Sequence, residues 1–376
     1  MRITLALALA LVPAAVVAAP PAAPSKPVDV VLCLDTSGSM DGLLESAKRK
    51  LWAVVNDLAR MEPTPALRIG LYSYGNNTYD ARRGWVRQEV PLTTDLDEVY
   101  RRITALRCAG PNSEEYATRA ARDALADLKW ADDRDALKLV FVCGNEPVDQ
   151  DKEVTPDSVA VAAKGRGVVV NTIYCGAANH VDAAGWSAFA TRCGGKFAHI
   201  DQDRVKAEVV IKTPFDEEIE KLGAKINETY VWYGLKGAAG RDNQLAQDRN
   251  AARAAGGVAA DRSVTKATAL YKNAECDLID RMLTEKEFDL KKLNEADLPA
   301  ELRKLKENER EPYLRRKAAE RAEIQKKVTE LGSRRALYIE GERKKQPRPA
   351  GEKALDEALR TILREEAAAK GLKVKD

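Results

Sequence analysis

From residue 28 onward, short and almost wholly apolar runs alternate with longer stretches in which apolar residues return every three or four positions. "VDVVLCLD" (28–35) has the continuous apolar character of a strand covered on both faces. "GLLESAKRKLWAVVNDLARM" (42–61) places Leu44, Ala47, Leu51, Val54, Val55 and Leu58 on one helical face. "ALRIGLYSY" (66–74) and "VRQEVPLT" (86–93) read as strands separated by a polar turn. Helices are expected at 95–106 and at about 114–130. "LKLVFVCG" (137–144) and "GVVVNTIYCG" (167–176) are two further buried strands with a helix between them. "WSAFATRC" (186–193) reads as helix and "GKFAHID" (195–201) as a last strand. This alternation predicts an α/β fold, a doubly wound and mainly parallel sheet, with ligands bound beyond the carboxyl ends of its strands.

Beyond Lys212 the character changes. A helical extension is expected over 213–283, interrupted at Gly256-Gly257, with aromatics exposed at Tyr230, Trp232 and Tyr233. A charged helical tail follows over 284–376, its apolar residues spaced for a stripe of coiled-coil type rather than for a globular core.

The first strand ends in Asp35-Thr36-Ser37-Gly38-Ser39. If the chain turns sharply at Gly38, the carboxylate and two hydroxyls converge on one point, a donor set that suits a hard divalent cation. The alternative is that Ser37 and Ser39 cap the helix that follows.

These residues resemble the DxSxS motif of von Willebrand factor A domains, and the likeness covers roughly residues 27–205. It implies a Rossmann-like sheet carrying a metal-ion-dependent adhesion site, with Mg²⁺ (or Mn²⁺) at its top and an acidic side chain of a protein partner completing the coordination. By this resemblance Asp35, Ser37 and Ser39 are the first-loop ligands. Ser113 is the nearest match to the second-loop Thr or Asp, with Glu115 as an alternate carboxylate. Equally, Ser113 could cap the third helix, with Glu114 and Glu115 in its first turn. Asn145 stands where the family usually has an aspartate after the fourth strand, which keeps the oxygen and loses the charge; Glu146 is more naturally solvent-facing. Glu115-Tyr116, Gly144 to Pro147 and Asn171 to Gly176 also resemble a narrower set of exported bacterial proteins with such a domain. That second likeness bears on fold and export rather than on activity.

Charge sharpens the division of the chain. Residues 301–376 hold 22 Lys+Arg against 15 Asp+Glu, whereas the whole chain is only +3, so a basic tail follows a mildly acidic body. Interleaved signs at helical spacing favour a solvated helix pair over contact with an anionic envelope surface, and nucleic acid is not expected. The first residues have the form of a secretory signal: Arg2, an apolar run from Ile3 to Val17, and small residues before a cut after Ala18, since Pro20 disfavours Ala19. The expected division is therefore a signal peptide at 1–18, a Pro/Ala-rich linker at 19–27 and the α/β domain at 28–205, exported to the periplasm or beyond, with no transmembrane helix after cleavage.

Six cysteines show no CxxC spacing; should one bridge form, Cys175–Cys193 is the favoured pair. His180 and His199, the two histidines, lack motif neighbours. No nucleophile elbow, HExxH or phosphate loop is present, so an enzyme is not expected. Three readings remain: a metal-dependent protein-binding module, a scaffold with a vestigial metal site whose tail drives assembly, and a subunit like those serving metal chelatases. The signal peptide counts against the third.

Overall fold

The computed structural model describes residues 25–110, 114–200, 211–254, 256–345 and 355–374. Strands β1 (Pro27–Asp35), β3 (Ala66–Tyr74), β4 (Val86–Thr93), β5 (Leu137–Gly144), β6 (Val169–Tyr174) and β7 (Gly194–His199) form one sheet in the order β4-β3-β1-β5-β6-β7. Only β4 runs antiparallel to its neighbour. β1 is central, in parallel register with β3 (Asp35 opposite Tyr74) and with β5 (Leu34 opposite Cys143). Its chain connection leads first to β3 on one side, while β5 lies on the other. The carboxyl end of β1 therefore faces the crevice where such sheets bind ligands.

Alternate residues of β1 feed two cores. Val30, Leu32 and Leu34 pack under α1 (Asp41–Ala59) and α2 (Leu96–Ala105), while Val31 and Cys33 pack under α3 (Ala117–Asp127), α4 (Pro156–Arg166) and α5 (Ala183–Arg192). That double burial is the reason the run lacks a polar alternation. A two-residue strand, β2 (Met61–Glu62), lies between α1 and β3.

The extension comprises α6 (Asp216–Asn227), α7 (Gly234–Arg253), α8 (Val258–Lys266) and α9 (Leu278–Thr284). Gly257, at φ +74°, separates α7 from α8 in a conformation that β-carbon sterics disfavour. After the short α10 (Ala300–Arg303) comes α11 (Glu307–Lys345), then α12 (Leu355–Ala369) and β8 (Lys373–Val374).

Four expectations need correction. Tyr230 and Tyr233 are buried and Trp232 is half-buried, because Tyr230 stacks on Trp232 and lies under the Arg321 guanidinium, 3.9 Å from the ring centre. The tail is not merely a stripe. α12 buries Leu355, Leu359, Ile362 and Leu363 in the same core as β1 and α1, and β8 pairs with β2. Each such leucine stabilises the fold by roughly 1.5–3 kcal/mol relative to exposure. The third helix begins at Ala117, so Glu114 and Glu115 precede it. All six thiols are free, and a Cys175–Cys193 bridge is ruled out by topology: Cys175 belongs to the core on one sheet face and Cys193 to the core on the other. The proposed signal peptide and residues 19–24 of the linker lie outside the described residues.

Candidate metal centre

The turn after β1 is built by its own side chains. The Ser37 N–H donates to Asp35 Oδ1 at 2.8 Å, an Asx-type turn that folds the serines back over the carboxylate. Thr36 anchors the turn sideways, its N–H and Oγ1 both donating to the Tyr74 carbonyl at 2.8 and 3.1 Å. From the other side, the Ala109 N–H donates to the Thr36 carbonyl at 3.1 Å. A β-carbon on Gly38 would come within 3.3 Å of Gly110 Cα, which accounts for a glycine at this close approach. Ser37 is buried and Ser39 exposed, with their hydroxyls 3.3 Å apart. The Asn145 amide reaches Ser39 Oγ at 3.2 Å through Nδ2 and 3.4 Å through Oδ1. Neither serine caps α1: Met40 occupies the N-cap position and no side chain closes it.

Glu115 completes the group. Lying just outside α3, it donates its N–H to Gln150 Oε1 at 3.0 Å and directs its side chain toward Asp35. Burial first, then the charge of Glu115, pushes the Asp35 carboxyl well above the usual carboxylate range. Burial raises Glu115 as well. Asp35 Oδ2 and Glu115 Oε2 are both buried, with no hydrogen-bond partner among the described residues. The space beside them is kept open by Gly75, where a β-carbon would lie 2.8 Å from Asp35 Oδ1 and 3.0 Å from Glu115 Cγ. Its φ of +72° reinforces the requirement for glycine.

Asp35, Ser37, Ser39 and Asn145 are thus brought to one place. Ser113 lies outside the described residues. Glu115, read from the sequence only as an alternate, is the acid that faces Asp35; the acidic pair before an alanine-rich helix was its signal. Among the described residues no three His, Cys, Asp or Glu side chains cluster as metal ligands. The donors here are two carboxylates and two hydroxyls, an all-oxygen set suited to Mg²⁺, which binds through one or two carboxylates and retains waters. Two orphaned carboxylate oxygens in a glycine-walled space fit such an ion. Glu146 is exposed. The histidines are elsewhere: His180 Nδ1 meets the Tyr174 hydroxyl at 2.8 Å and Asp182 at 3.2 Å, and His199 ends β7.

Residues 29–208 match the model of the von Willebrand factor type A domain. No curated protein matches the chain. Among solved structures, it is similar to an aerotolerance-related membrane protein from Bacteroides fragilis NCTC 9343, at 16% identity over 48% of this chain and 96% of that one, TM-score 0.36. It is similar at 15% identity to the SpRpn10 VWA domain, over 46% of this chain and 88% of the other, TM-score 0.36. Proximal thread matrix protein 1 from the mussel byssus aligns at 10% identity over 49% of this chain and 44% of its own, TM-score 0.36. Among the described residues no helix is long and apolar enough to cross a membrane. With the six-stranded sheet and the Asp35 turn in place, residues 29–208 are a von Willebrand factor type A domain, the fold of a protein-interaction module.

Proposed function

We propose that this domain is a metal-dependent docking module that binds an acidic side chain of a protein partner, and that it does no catalysis of its own. The observation that carries the reading is the facing pair Asp35 and Glu115, each with one buried oxygen that has no hydrogen-bond partner among the described residues. Asp35, Ser37, Ser39 and Glu115 would hold Mg²⁺ or Mn²⁺, with Asn145 acting through Ser39, and Ser113 assigned to the set by its sequence position alone. Bound there, the ion supplies a Lewis-acidic position for a carboxylate oxygen of the partner. The chain's own part is to hold the donors in place. The Asx turn orients Asp35, the hydrogen bonds to Tyr74 and Ala109 clamp the loop, and Gly75 leaves room beside the carboxylates. Asn145, neutral where the family carries an acid, leaves the ion's charge less compensated, so a partner carboxylate adds more to binding.

Export belongs to the same proposal and rests on Arg2, the run Ile3–Val17 and the small residues at 16–19; N-terminal sequencing that finds Arg2 on the mature chain would refute it. Calorimetry of Mg²⁺ with wild type and Asp35→Ala tests the docking reading. Heat of binding in wild type and none in the variant is expected. Equal binding by both would overturn it.

A further inference from the structure

A cleft of about 500 Å³ opens between the first half of α1, the end of α2 and the end of α7. Its charged lining is Asp41, Glu45, Lys48, Arg49, Arg107 and Arg253, four cations against two acids. Glu45 is already engaged by Lys48 at 2.9 Å. That leaves three arginines against Asp41. Arg107 spends one nitrogen on the Thr104 and Leu106 carbonyls, at 2.7 Å each. Arg49 has a buried Nε without a partner among the described residues. Among the described residues none of the three arginines meets a carboxylate. The buried arginines where the extension packs, Arg262, Arg321 and Arg335, are by contrast all neutralised by acids.

Along the chain, the cleft lining adjoins the metal loop in two places. Asp41 follows Ser39 by two residues. Cys108, also in the lining, precedes Ala109, whose N–H holds the Thr36 carbonyl. We infer that the cleft receives further acidic side chains of the same partner segment whose first carboxylate reaches the metal loop. The ligand class is an acidic peptide, and the inference rests on the docking reading above only for where the segment begins. Arginine suits the task because its planar fork meets carboxylates with two parallel donors. Asn250, on the cleft wall, donates to Gln247 at 2.9 Å. Part of the cleft is made by α7, outside the family fold, so this extension would set partner choice.

The test uses the full chain and a fluorescein-labelled oligoglutamate peptide, followed by anisotropy with Mg²⁺ or chelator. Arg107→Glu with Arg253→Glu should weaken binding about tenfold, as charge opposition at a polar interface does. A matched reversal on α11, Arg315→Glu with Lys344→Glu, changes net charge equally and should leave affinity within about twofold. Unchanged affinity in the cleft variant, or equal weakening in both variants, would overturn the inference. The two readings fail separately. Binding indifferent to chelator but lost on cleft reversal removes the metal and keeps the cleft. Binding abolished by chelator but untouched by cleft reversal does the opposite.

Discussion

Buried acids occur in two settings in this chain. Where the extension meets the A domain, Asp97 is held by Arg262 and by the Tyr271 hydroxyl. Asp248 is held by Arg262 at 2.6 Å, Lys266 at 3.0 Å and the Asn227 amide. Arg321 of α11 spans Asp277 and Asp280, and Arg335 spans Asp216 and Asp261. Even Asp57, with an oxygen that lacks a hydrogen bond, lies 2.7 Å from Arg364. At the carboxyl edge of the sheet, Asp35 faces Glu115 instead of a cation. Removing ions from water costs several kcal/mol each, and only good geometry with an opposite charge offsets it. The joint obeys that rule within the chain. The sheet edge leaves the counter-charge to come from outside, which is why the same residue type is structural in one place and a binding candidate in the other.

Breaking the joint should produce the largest effect. Arg262→Met leaves Asp97 in the interior without its cation and Asp248 with Lys266 alone, and is expected to cost about 3–5 kcal/mol of unfolding free energy, measured in urea.

Lys266 sharpens the contrast through pH. Although it pairs with Asp248, burial first and then the nearby Arg262 pull its pKa down to about 8. A base with a depressed folded pKa favours the folded state in its neutral form. Stability linked to this residue is therefore full above its unfolded value and is lost as pH falls through about 8. The difference is on the order of 3 kcal/mol. Lys266→Met should remove that slope from stability measured across the alkaline range.

At the sheet edge the sign inverts. Asp35→Asn removes an unpartnered charge, so the metal-free protein should gain about 1 kcal/mol at neutral pH. Wild type should instead gain about 2.7 kcal/mol from Mg²⁺ at a hundredfold excess over its Kd, and the variant nothing. Thermal unfolding with and without the ion reads both. A loss of stability in Asp35→Asn would mean that the carboxylate is held by the chain after all.

Asn145→Asp is the smallest change. It restores an acid beside Ser39 and should tighten Mg²⁺ up to about tenfold by calorimetry, as one added nearby charge at a part-exposed site does.

Much of the A domain was legible because its signals are local. Six strand-like runs became the six sheet strands, and the central β1 and β5, covered on both faces, leave no polar alternation to misread. The Asp35 turn was legible for the same reason: carboxylate, hydroxyls and turn glycine lie within five consecutive positions. Glu115 was harder. Acids at 114 and 115 read naturally as the first turn of a helix, and only the start of α3 at Ala117 freed Glu115 to face Asp35.

The C-terminal half marks the limit. Leu355, Leu359 and Ile362 announce a helix stripe, but nothing local says that the stripe covers β1 and α1 near the other end of the chain. Arg321 and Arg335 look like every other cation in a charged helix. Their burial against Asp277, Asp280, Asp216 and Asp261 exists only once α11 lies across the extension. Periodicity states which face of an element avoids water, a property of neighbouring residues. Which distant surface covers that face, and which distant acid neutralises a buried cation, depends on chain closure and mutual packing. Those were decided by the tertiary structure alone.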